Sequence, residues 1–215
     1  IGRHKTASMM KAAQIKAIRP KKKHYYPDGG ISNEQVKNLL DRQFDQPKIN
    51  THWVGDITYI RSHQGWSYLA AVLALGSKEI VGWALSKHPT AELAKQALAN
   101  AINRKRPNTT KLMFHSDQGS QYTSRKFRQR LWRYRMKQSM SRRGNCWDNA
   151  PMERVFRSLK SEWIPTSGYM TQSEAQRDIS FYLMSYYNWH RPHQFNNGMP
   201  PAKAENQPNL LSGIS

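Results

Sequence analysis

Three acidic residues lie where a strand or a helix would hold a side chain in place. Asp56 lies in the strand-like segment WVGDITYI, and Asp117 follows the apolar run KLMFHS. Thirty-five residues then separate Asp117 from Glu153, which lies in the first turns of a predicted helix. Hard divalent cations such as Mg²⁺ prefer oxygen ligands and keep several waters, so a few carboxylates are enough to hold them. Two such ions promote in-line displacement at phosphorus, which makes phosphoryl transfer the predicted chemistry.

The segment between Asp117 and Glu153 is strongly basic. Residues 118–147 contain nine Lys or Arg residues and no acid. Carboxylates within a positive segment suit a site that holds metal and also attracts a polyanion such as DNA. Helical spacing places Arg157 and Lys160 on the face of Glu153, where both would contact phosphates. Two simpler explanations stay open: each acid alone would fit a cap or a turn, and Arg157 would fit an ion pair with Glu153.

The overall composition indicates the same partner. The chain has 215 residues, 38% of them apolar, and a formal net charge of +20. Phosphate neutralisation makes nucleic acid the default partner of so basic a protein. The longest apolar run, 68–75, is far shorter than the roughly 20 residues that a membrane-spanning helix needs, so no membrane partner is expected. The single cysteine, Cys146, excludes an internal disulfide framework and fits a reducing, cytoplasmic location.

Hydrophobic periodicity predicts an α/β domain. The segments HWVGDITYI, WSYLAAVLAL and KEIVGWALS follow one another with short links and indicate an antiparallel meander. A helix capped by Thr90, a buried strand before Asp117, a helix over 124–135 and a weak strand at MKQSMS come next. A loop at 141–148 leads into a helix capped by Asn149, and a long helix follows over 171–189. This order predicts a mixed five-stranded sheet flanked by helices.

Proline and glycine divide the chain into four parts. Residues 1–27 form a basic helical appendage, either a fragment of a DNA-binding helical unit or a solvated tail. Residues 28–49 form a linker with a short helix. Residues 50–165 form the α/β core, and residues 166–215 form a C-terminal helix and an extended, irregular tail.

Six segments resemble motifs of a known family. In chain order they are WVGDITYI, GWSYLA, VGWALS, HSDQGSQYTS, SMSRRGNCWDNAPMERVFRSLKSE and YYNWHRPH. They closely resemble successive motifs of DDE-type bacterial insertion-sequence transposases, namely the second-reading-frame (OrfB-type) protein with a retroviral-integrase-like core. The resemblance covers roughly residues 47–203. It implies a ribonuclease H-like fold, and it makes residues 1–27 resemble the end of the family's helix-turn-helix segment.

The resemblance assigns roles to individual residues. Asp56, Asp117 and Glu153 match the family's DDE triad, so they are the expected catalytic residues and the expected ligands of two Mg²⁺ or Mn²⁺ ions. The implied reaction is metal-dependent DNA strand cleavage, followed by 3′-hydroxyl strand transfer at insertion-sequence ends. The implied partners are transposon-end and target DNA, with further copies of this chain in a homo-oligomer. Lys160 matches a basic residue that contacts DNA in the family, and the wider set of expected DNA-binding residues is Lys160, Arg157, Arg142, Arg143, Asn149 and Trp147.

Two positions depart from the family pattern. The family usually has an acid where this chain has Ala74, and a bulky residue where it has Gly76. Neither position belongs to the triad. Two alternative functions stay open: a nuclease that cuts without joining strands, and a catalytically impaired relic that binds DNA without cutting it.

Several other residues have both a functional and a simpler interpretation. His115 would orient a carboxylate or a phosphate, or make a hydrogen bond in the core. Trp147 would stack on a base or anchor its loop. Asp148 is expected to be a cap or loop residue. His190 and His193 would suggest a metal pair but lack further nearby ligands, so packing or DNA contact is the favoured interpretation.

Overall fold

The computed structural model describes residues 2–16, 36–46, 48–142 and 145–206. The strands in these ranges are β1 (His52–Ser62), β2 (Gly65–Ala74), β3 (Ile80–Ser86), β4 (Met113–Ser116) and β5 (Lys137–Met140). The α-helices are α1 (Arg3–Ala12), α2 (Ala91–Lys105), α3 (Ser120–Thr123), α4 (Arg125–Arg133), α5 (Ala150–Ser158), α6 (Gln172–Phe181) and α7 (Pro201–Glu205). Short 3₁₀ turns lie at Thr109–Lys111, Cys146–Asn149 and Gln194–Asn196, and the π-helical segments Leu159–Trp163 and Tyr182–His190 continue α5 and α6.

The five strands form one mixed sheet in the order β3-β2-β1-β4-β5. β1, β2 and β3 are antiparallel neighbours, whereas β4 is parallel to β1 and β5 is parallel to β4. At the tight β1–β2 turn Gly65 adopts a φ of 113°, a conformation that glycine reaches without strain. The predicted mixed five-stranded sheet with its antiparallel meander is therefore confirmed.

Helices cover both faces of the sheet and create two apolar cores. One core joins Trp53 of β1 to α2 and α4, and the other joins Val54 of β1 to α5 and α6. Neighbouring residues of β1 thus belong to different cores, as the alternation of side chains along a strand requires. Central strands buried on both faces become apolar throughout, which explains the unbroken apolar run of β2.

Helix α2 lies unusually close to β3. Thr90 caps the helix as predicted, because its side chain accepts a hydrogen bond from the Leu93 N–H (3.4 Å). The buried side of α2 is rich in alanine, including Ala97 and Ala101. A Cβ added to Gly82 of β3 would lie 2.5 Å from the backbone oxygen of Ala97 and 2.5 Å from the backbone nitrogen of Ala101. Only glycine allows this approach of helix and strand.

The C-terminal tail differs in part from expectation. The tail after α6 is not extended throughout, because α7 packs with buried Ala202 and Ala204. Proline at its first position favours a helix start there. Glu205 then holds α7 in place, since its carboxylate accepts from Lys105 Nζ (2.7 Å) and from Ser77 Oγ (2.7 Å).

The basic N-terminal region is described only in part. α1 is helical, as the sequence indicates, and its residues are exposed except for half-buried Met10. Residues 17–35, which include Pro20 and the first part of the predicted linker, lie outside the described residues. The four-part division of the chain stays a prediction. In the ranges that the structure describes, every helix is too short or too polar to cross a membrane.

We expect Gly82→Ala to destabilise the protein by about 3 kcal/mol. The new methyl group would meet helix backbone, which cannot turn aside as a side chain can, and overpacking of this kind costs about 1–3 kcal/mol or more. Urea unfolding followed by circular dichroism measures the change. Gly2→Ala is the control, because a Cβ there meets nothing within 4 Å. An unchanged urea midpoint for Gly82→Ala would show that α2 does not lie so close to β3.

Candidate active site

Pairing between β1 and β4 brings Asp56 and Asp117 together. The last residues paired between these parallel strands are Gly55 and Ser116. Asp56 and Asp117 each come next in the chain, so the two carboxylates lie side by side where this pairing stops, although β1 itself continues to Ser62. Both are half-buried and line one cavity of about 190 Å³. The convergence of two of the three predicted acids follows directly from strand register.

Burial makes the charged state of Asp117 costly. It raises the pKa of the Asp117 carboxyl, and a hydrogen bond from the Gly119 N–H to Oδ1 (3.0 Å) offsets this only in part. A Cβ at Gly119 would lie 2.9 Å from the same oxygen, so a larger residue here would displace the carboxylate. Asp56 Oδ1 accepts from the Ile57 N–H (2.7 Å). Two adjacent, partly buried carboxylates with oxygen-only donors fit a hard cation such as Mg²⁺, whose charge would offset both burial and mutual repulsion.

Tyr122 and Gln121 complete the walls of this cavity, and the sequence reasoning had missed both. Burial, and then the charges of Asp56 and Asp117, raise the pKa of Tyr122 well above its usual range, so the phenol is neutral. Gln121 Nε2 donates to the Pro89 carbonyl (2.7 Å) and thereby connects α3 to the approach to α2. Both residues belong to the segment HSDQGSQY that contains Asp117, which is the signal that would have identified them.

Glu153, the third predicted acid, lies on α5, outside the β1–β4 pair that places Asp56 and Asp117. In the described part of the chain, no three acidic, histidine or cysteine side chains are grouped closely enough to hold a metal ion. The start of α5 is nevertheless fixed next to Asp56, because buried Asn149 donates from Nδ2 to the carbonyl of Gly55 (3.2 Å). Glu153 follows Asn149 by one helical turn and is half-buried. Asn149 occupies the N-cap position of α5 as predicted, but its side chain makes no capping hydrogen bond and instead ties α5 to β1.

Asp148 has a larger role than the predicted cap or loop residue. It is fully buried and accepts hydrogen bonds from Arg42 Nε (2.7 Å), Asn38 Nδ2 (3.0 Å) and both the backbone N–H (3.0 Å) and Nε (3.1 Å) of Arg142. Burial alone would raise the pKa of Asp148, but the hydrogen bonds from Arg142 and Arg42 outweigh it and hold this pKa well below its usual range. The ionised carboxylate fixes the turn that leads into α5.

His115 is a hydrogen-bonding residue of the core. Its Nδ1 lies 2.8 Å from Ser139 Oγ, and its Nε2 lies 3.0 Å from the carbonyl oxygen of Asp148. Because a carbonyl only accepts, Nε2 carries the proton and Nδ1 accepts from the serine. Burial lowers the pKa of His115 to about 4, so the imidazole is neutral near pH 7. Of the two interpretations of His115, the structure supports the hydrogen bond in the core.

Lys160 is placed beside the acid cavity by an aromatic contact. Its Nζ lies 3.7 Å from the centre of the Tyr59 ring, and Tyr59 also lines the cavity. The exposed Trp66 packs edge-on against Tyr59, with ring centres 5.2 Å apart. An ammonium over an aromatic face is a cation–π contact. It holds a positive charge close to Asp56 and Asp117.

The other predicted DNA-binding residues fall into three groups. Arg157 is exposed on α5, and Trp147 is 70% exposed, so Trp147 does not anchor its loop through burial. Arg142 and Asn149 have partners within the chain, Asp148 and Gly55 respectively. Arg143 lies outside the described residues.

Part of the basic segment between Asp117 and Glu153 lies away from the acids. Lys126, Arg130 and Arg133 of α4 line a separate groove of about 200 Å³ together with Glu92 and Lys95 of α2. These cations therefore line a surface other than the cavity of Asp56 and Asp117. Phe127 and Leu131, on successive turns of α4, face the core. The cations of α4 therefore lie on its outer side.

Comparisons with known proteins match these features. Family models described as "Integrase core domain" match residues 46–146 and 134–201. Transposase InsF for insertion sequence IS3fB of Escherichia coli (strain K12) is 39% identical over 172 residues, which is 80% of this chain and 59% of that protein. The transposase for insertion sequence element IS904 of Lactococcus lactis subsp. lactis (strain IL1403) is 37% identical over 178 residues, covering 83% of this chain and 69% of that protein. The chain thus spans about three fifths of the length of the E. coli relative.

Solved structures show the same fold. A simian T-cell lymphotropic virus intasome in complex with PP2A regulatory subunit B56 gamma matches with a TM-score of 0.58 and 15% identity, over 86% of this chain and 62% of that one. The HTLV-2 integrase catalytic core domain in complex with magnesium matches with a TM-score of 0.51 and 16% identity, over 72% of this chain and 95% of that one. The expected ribonuclease H-like fold is confirmed by this likeness to integrase catalytic cores.

We expect Asp148→Asn to destabilise the protein by about 2–3 kcal/mol near pH 7, since it removes a buried charge whose two arginine partners are partly exposed. The folded-state pKa of Asp148 is depressed, so its stabilisation is complete above the unfolded value of about 4 and is lost as pH falls towards the folded value. The difference between wild type and variant should therefore shrink below pH 4.

Urea unfolding at pH values from 3 to 8 tests this expectation. Asp41→Asn is the matched control, because the exposed Asp41 contacts Arg142 only weakly, at 3.7 Å, and its stability should change by less than about 0.5 kcal/mol. A stability difference for Asp148→Asn that stays constant down to pH 3 would contradict the ionic role of Asp148.

Proposed function

The chain belongs to the family of bacterial insertion-sequence transposases with an integrase core domain, and from this premise we propose that it cleaves DNA at insertion-sequence ends and transfers the freed 3′-hydroxyl to a second phosphodiester. The observation that carries the proposal is the juxtaposition of Asp56 and Asp117 where the parallel pairing of β1 and β4 ends. Carboxylates that meet where two neighbouring parallel strands stop pairing are a suitable base for phosphoryl-transfer chemistry. The net charge of +20 supports DNA as the substrate.

The proposed cofactor is Mg²⁺ or Mn²⁺, with two ions in each site. Asp56 and Asp117 would hold them, and Glu153 would complete the ligand set from α5 when metal and DNA are bound. When bound, such ions supply Lewis-acid stabilisation of the negative charge that develops on the attacking and leaving oxygens. The HTLV-2 integrase catalytic core in complex with magnesium supports the choice of metal by analogy of fold.

The side chains of this protein would bind and orient the DNA, and the nucleophiles would come from water and DNA. In the first step a water oxygen bonds to phosphorus as the bond to the 3′-oxygen breaks, which leaves a 3′-hydroxyl and a 5′-phosphate. In the second step that 3′-hydroxyl bonds to a target phosphorus as the target's own 3′-oxygen leaves. One phosphodiester is made for each one broken, so strand transfer needs no covalent protein–DNA intermediate. Lys160 and Arg157 would hold phosphates beside Asp56 and Glu153.

The two departures from the family pattern do not favour an inactive relic. Ala74 is buried in the apolar core, paired with Trp53 across the β1–β2 ladder. Gly76 lies against the backbone of Lys48 and Ile49, where a Cβ would come 2.8 Å from the carbonyl oxygen of Lys48. Neither residue lines the cavity of Asp56 and Asp117.

We also propose that further copies of this chain form a homo-oligomer that holds two DNA ends together.

We expect Asp117→Asn to reduce metal-dependent cleavage and joining by at least about 10³-fold, because it removes one of the charges that hold the metal. The assay uses labelled end DNA with Mg²⁺ or Mn²⁺ and resolves hydrolysed from joined products. Glu92→Gln is the control, because Glu92 lies on the exposed side of α2, paired with Lys95 (2.7 Å).

The products separate the candidate functions. Cleavage with joining supports a transposase, and cleavage without joining supports a nuclease. If neither cleaved nor joined product forms with Mg²⁺ or Mn²⁺, the result supports a DNA-binding relic. Cleavage and joining retained by Asp117→Asn would contradict the assignment of the acids.

We expect Tyr59→Leu to weaken DNA binding by about two- to fivefold, because an exposed cation–π contact contributes about 0.5–1 kcal/mol to the position of Lys160. Fluorescence anisotropy without metal measures the affinity. Tyr59→Phe keeps the aromatic face and should bind like wild type. Trp132→Leu is the matched control, since Trp132 is a highly exposed aromatic residue on α4. Equal losses for Tyr59→Leu and Tyr59→Phe would show that the phenol oxygen, and not the ring, is responsible.

A further inference from the structure

A second cavity lies on the other side of α5, and its walls are basic. It measures about 670 Å³ and is bounded by α5, the segment 42–45, and the chain that leaves α6 through the motif YYNWHRPH. None of its lining residues lines the cavity of Asp56 and Asp117. We call it the basic cavity, after the basic residues in its wall: Arg42, Lys78, Arg154, Arg157, Arg191 and His193.

The wall of the basic cavity has fewer acidic than basic residues. Among the described residues of the lining, the one acid is Asp45, whose side chain is 86% exposed and whose Oδ1 lies 3.9 Å from Lys78 Nζ. Arg42 and Arg191 are already paired, Arg42 with Asp148 (2.7 Å) and Arg191 with Glu162 (2.9 Å). Arg154 and Arg157, by contrast, are exposed at the cavity and available to a ligand.

Burial, and repulsion from neighbouring positive charges, disfavour the protonated forms of Lys78 and His193 in the basic cavity. Lys78 donates to the carbonyl of Phe44 (2.6 Å) and lies 3.8 Å above the ring of Phe195. Burial lowers the pKa of Lys78 to about 8; Asp45 acts against this shift, and the charge of Arg154 adds to it. Burial, and then the charges of Lys78, Arg191 and Arg154, lower the pKa of His193 to about 4. An anion in the cavity would relieve this repulsion.

His193 also presents a ring nitrogen that lacks a partner. Among the described residues, Nδ1 of His193 is buried and makes no hydrogen bond. A buried polar atom without a partner costs free energy, and a ligand oxygen would satisfy a proton on this nitrogen. The cavity therefore offers guanidinium, ammonium and imidazole donors together, which is the donor set that binds phosphate oxygens.

Helix α5 lines the basic cavity with one face, and a neighbouring face runs towards Lys160. Pro151, Arg154 and Ser158, spaced by three and four residues, line the basic cavity. Glu153, Arg157 and Lys160, spaced by four and three, follow the neighbouring face, which leads to Tyr59 and the acid cavity. Arg157 belongs to both sets, so the positive charge is continuous around the helix.

We infer that the basic cavity is a second DNA-binding site, which takes a backbone phosphate of a strand outside the cavity of Asp56 and Asp117. Arg154 is the principal contact, with Lys78 and His193 behind it. The aromatic rings of Phe44 and Phe195 provide a surface for the adjoining sugar or base. The inference rests on the proposed function in taking DNA as the polyanion, and it assigns the motif YYNWHRPH to this wall.

The first test is DNA binding by the whole chain in EDTA, measured by anisotropy over a series of salt concentrations. Arg154→Glu should weaken binding by about tenfold or more at low salt, and it should reduce the slope of log K against log salt by about 1, as the loss of one phosphate contact does. Arg154→Lys keeps the charge and should bind within about twofold of wild type.

Arg177→Glu is the matched control. Arg177 is an exposed arginine of α6 in a groove with Glu162, Glu174 and Asp178, so the same charge change occurs outside the basic cavity. Its affinity should fall less than about threefold through net charge alone. Equal losses for Arg154→Glu and Arg177→Glu, with an unchanged salt slope, would overturn the inference.

The second test identifies the class of ligand. The imidazole resonances of His193 are followed by NMR while inorganic phosphate, a short oligonucleotide or a poly-glutamate peptide is added. Phosphate and oligonucleotide should shift these resonances in wild type but not in Arg154→Glu. Shifts with the acidic peptide alone would make the cavity a protein-docking site and overturn the assignment to DNA.

The Asp117→Asn variant keeps the two proposals distinguishable. In EDTA it should bind DNA like wild type and respond equally to Arg154→Glu, because Asp56, Asp117 and Glu153 do not line the basic cavity. Loss of cleavage with retained Arg154 dependence supports both proposals. Absence of cleavage in wild type, with Arg154 dependence intact, would remove the proposed reaction and leave the second site standing.

Discussion

The parallel pairing of β1 with β4 is the constraint on which the candidate site depends. It is only four residue pairs long, from His52–Met113 to Gly55–Ser116, and it stops immediately before Asp56 and Asp117. A shift of one residue in this register would move one carboxylate by about 3.3 Å along the strand and reverse its face. Two apolar cores prevent such a shift, because Trp53 and Val54 are committed to opposite faces. Packing of the whole domain therefore sets the distance between the two acids.

A second set of contacts places α5 against that strand pair. Asn149 ties the start of the helix to Gly55, and Asp148 ties the preceding turn to Arg42 and Arg142. At its far end Lys160 rests on Tyr59 of β1. The helix is thus held to β1 at both ends by polar and aromatic contacts, while Met152, Val155 and Phe156 fill the core between them. Its exposed faces are left for charged residues.

Local patterns predicted much of this arrangement, and long-range partners explain the remainder. The alternation in HWVGDITYI, the apolar run before Asp117 and the cap at Thr90 are properties of short segments, and each was read correctly from sequence. Asp148 looked like a loop residue because its partners Asn38 and Arg42 lie 110 and 106 residues away. Asn149 resembled a helix cap for the same reason, since only the folded chain brings Gly55 to its amide. The basic residues of α4 looked like part of the site because sequence spacing does not show which side of a helix faces the acids.

The segment 37–42 is fastened along the outer edge of the sheet. The carbonyl of Lys37 accepts from the Met140 N–H (3.3 Å), the Leu39 N–H donates to Ser139 Oγ (2.9 Å), and Arg42 binds Asp148. These bonds cover the edge of β5, which would otherwise offer unpaired backbone to another chain. They also join this segment directly to the turn before Glu153, because Asn38 and Arg42 bind Asp148 through their side chains. A displacement of the segment 37–42 would therefore act on the start of α5 without passing along the intervening backbone.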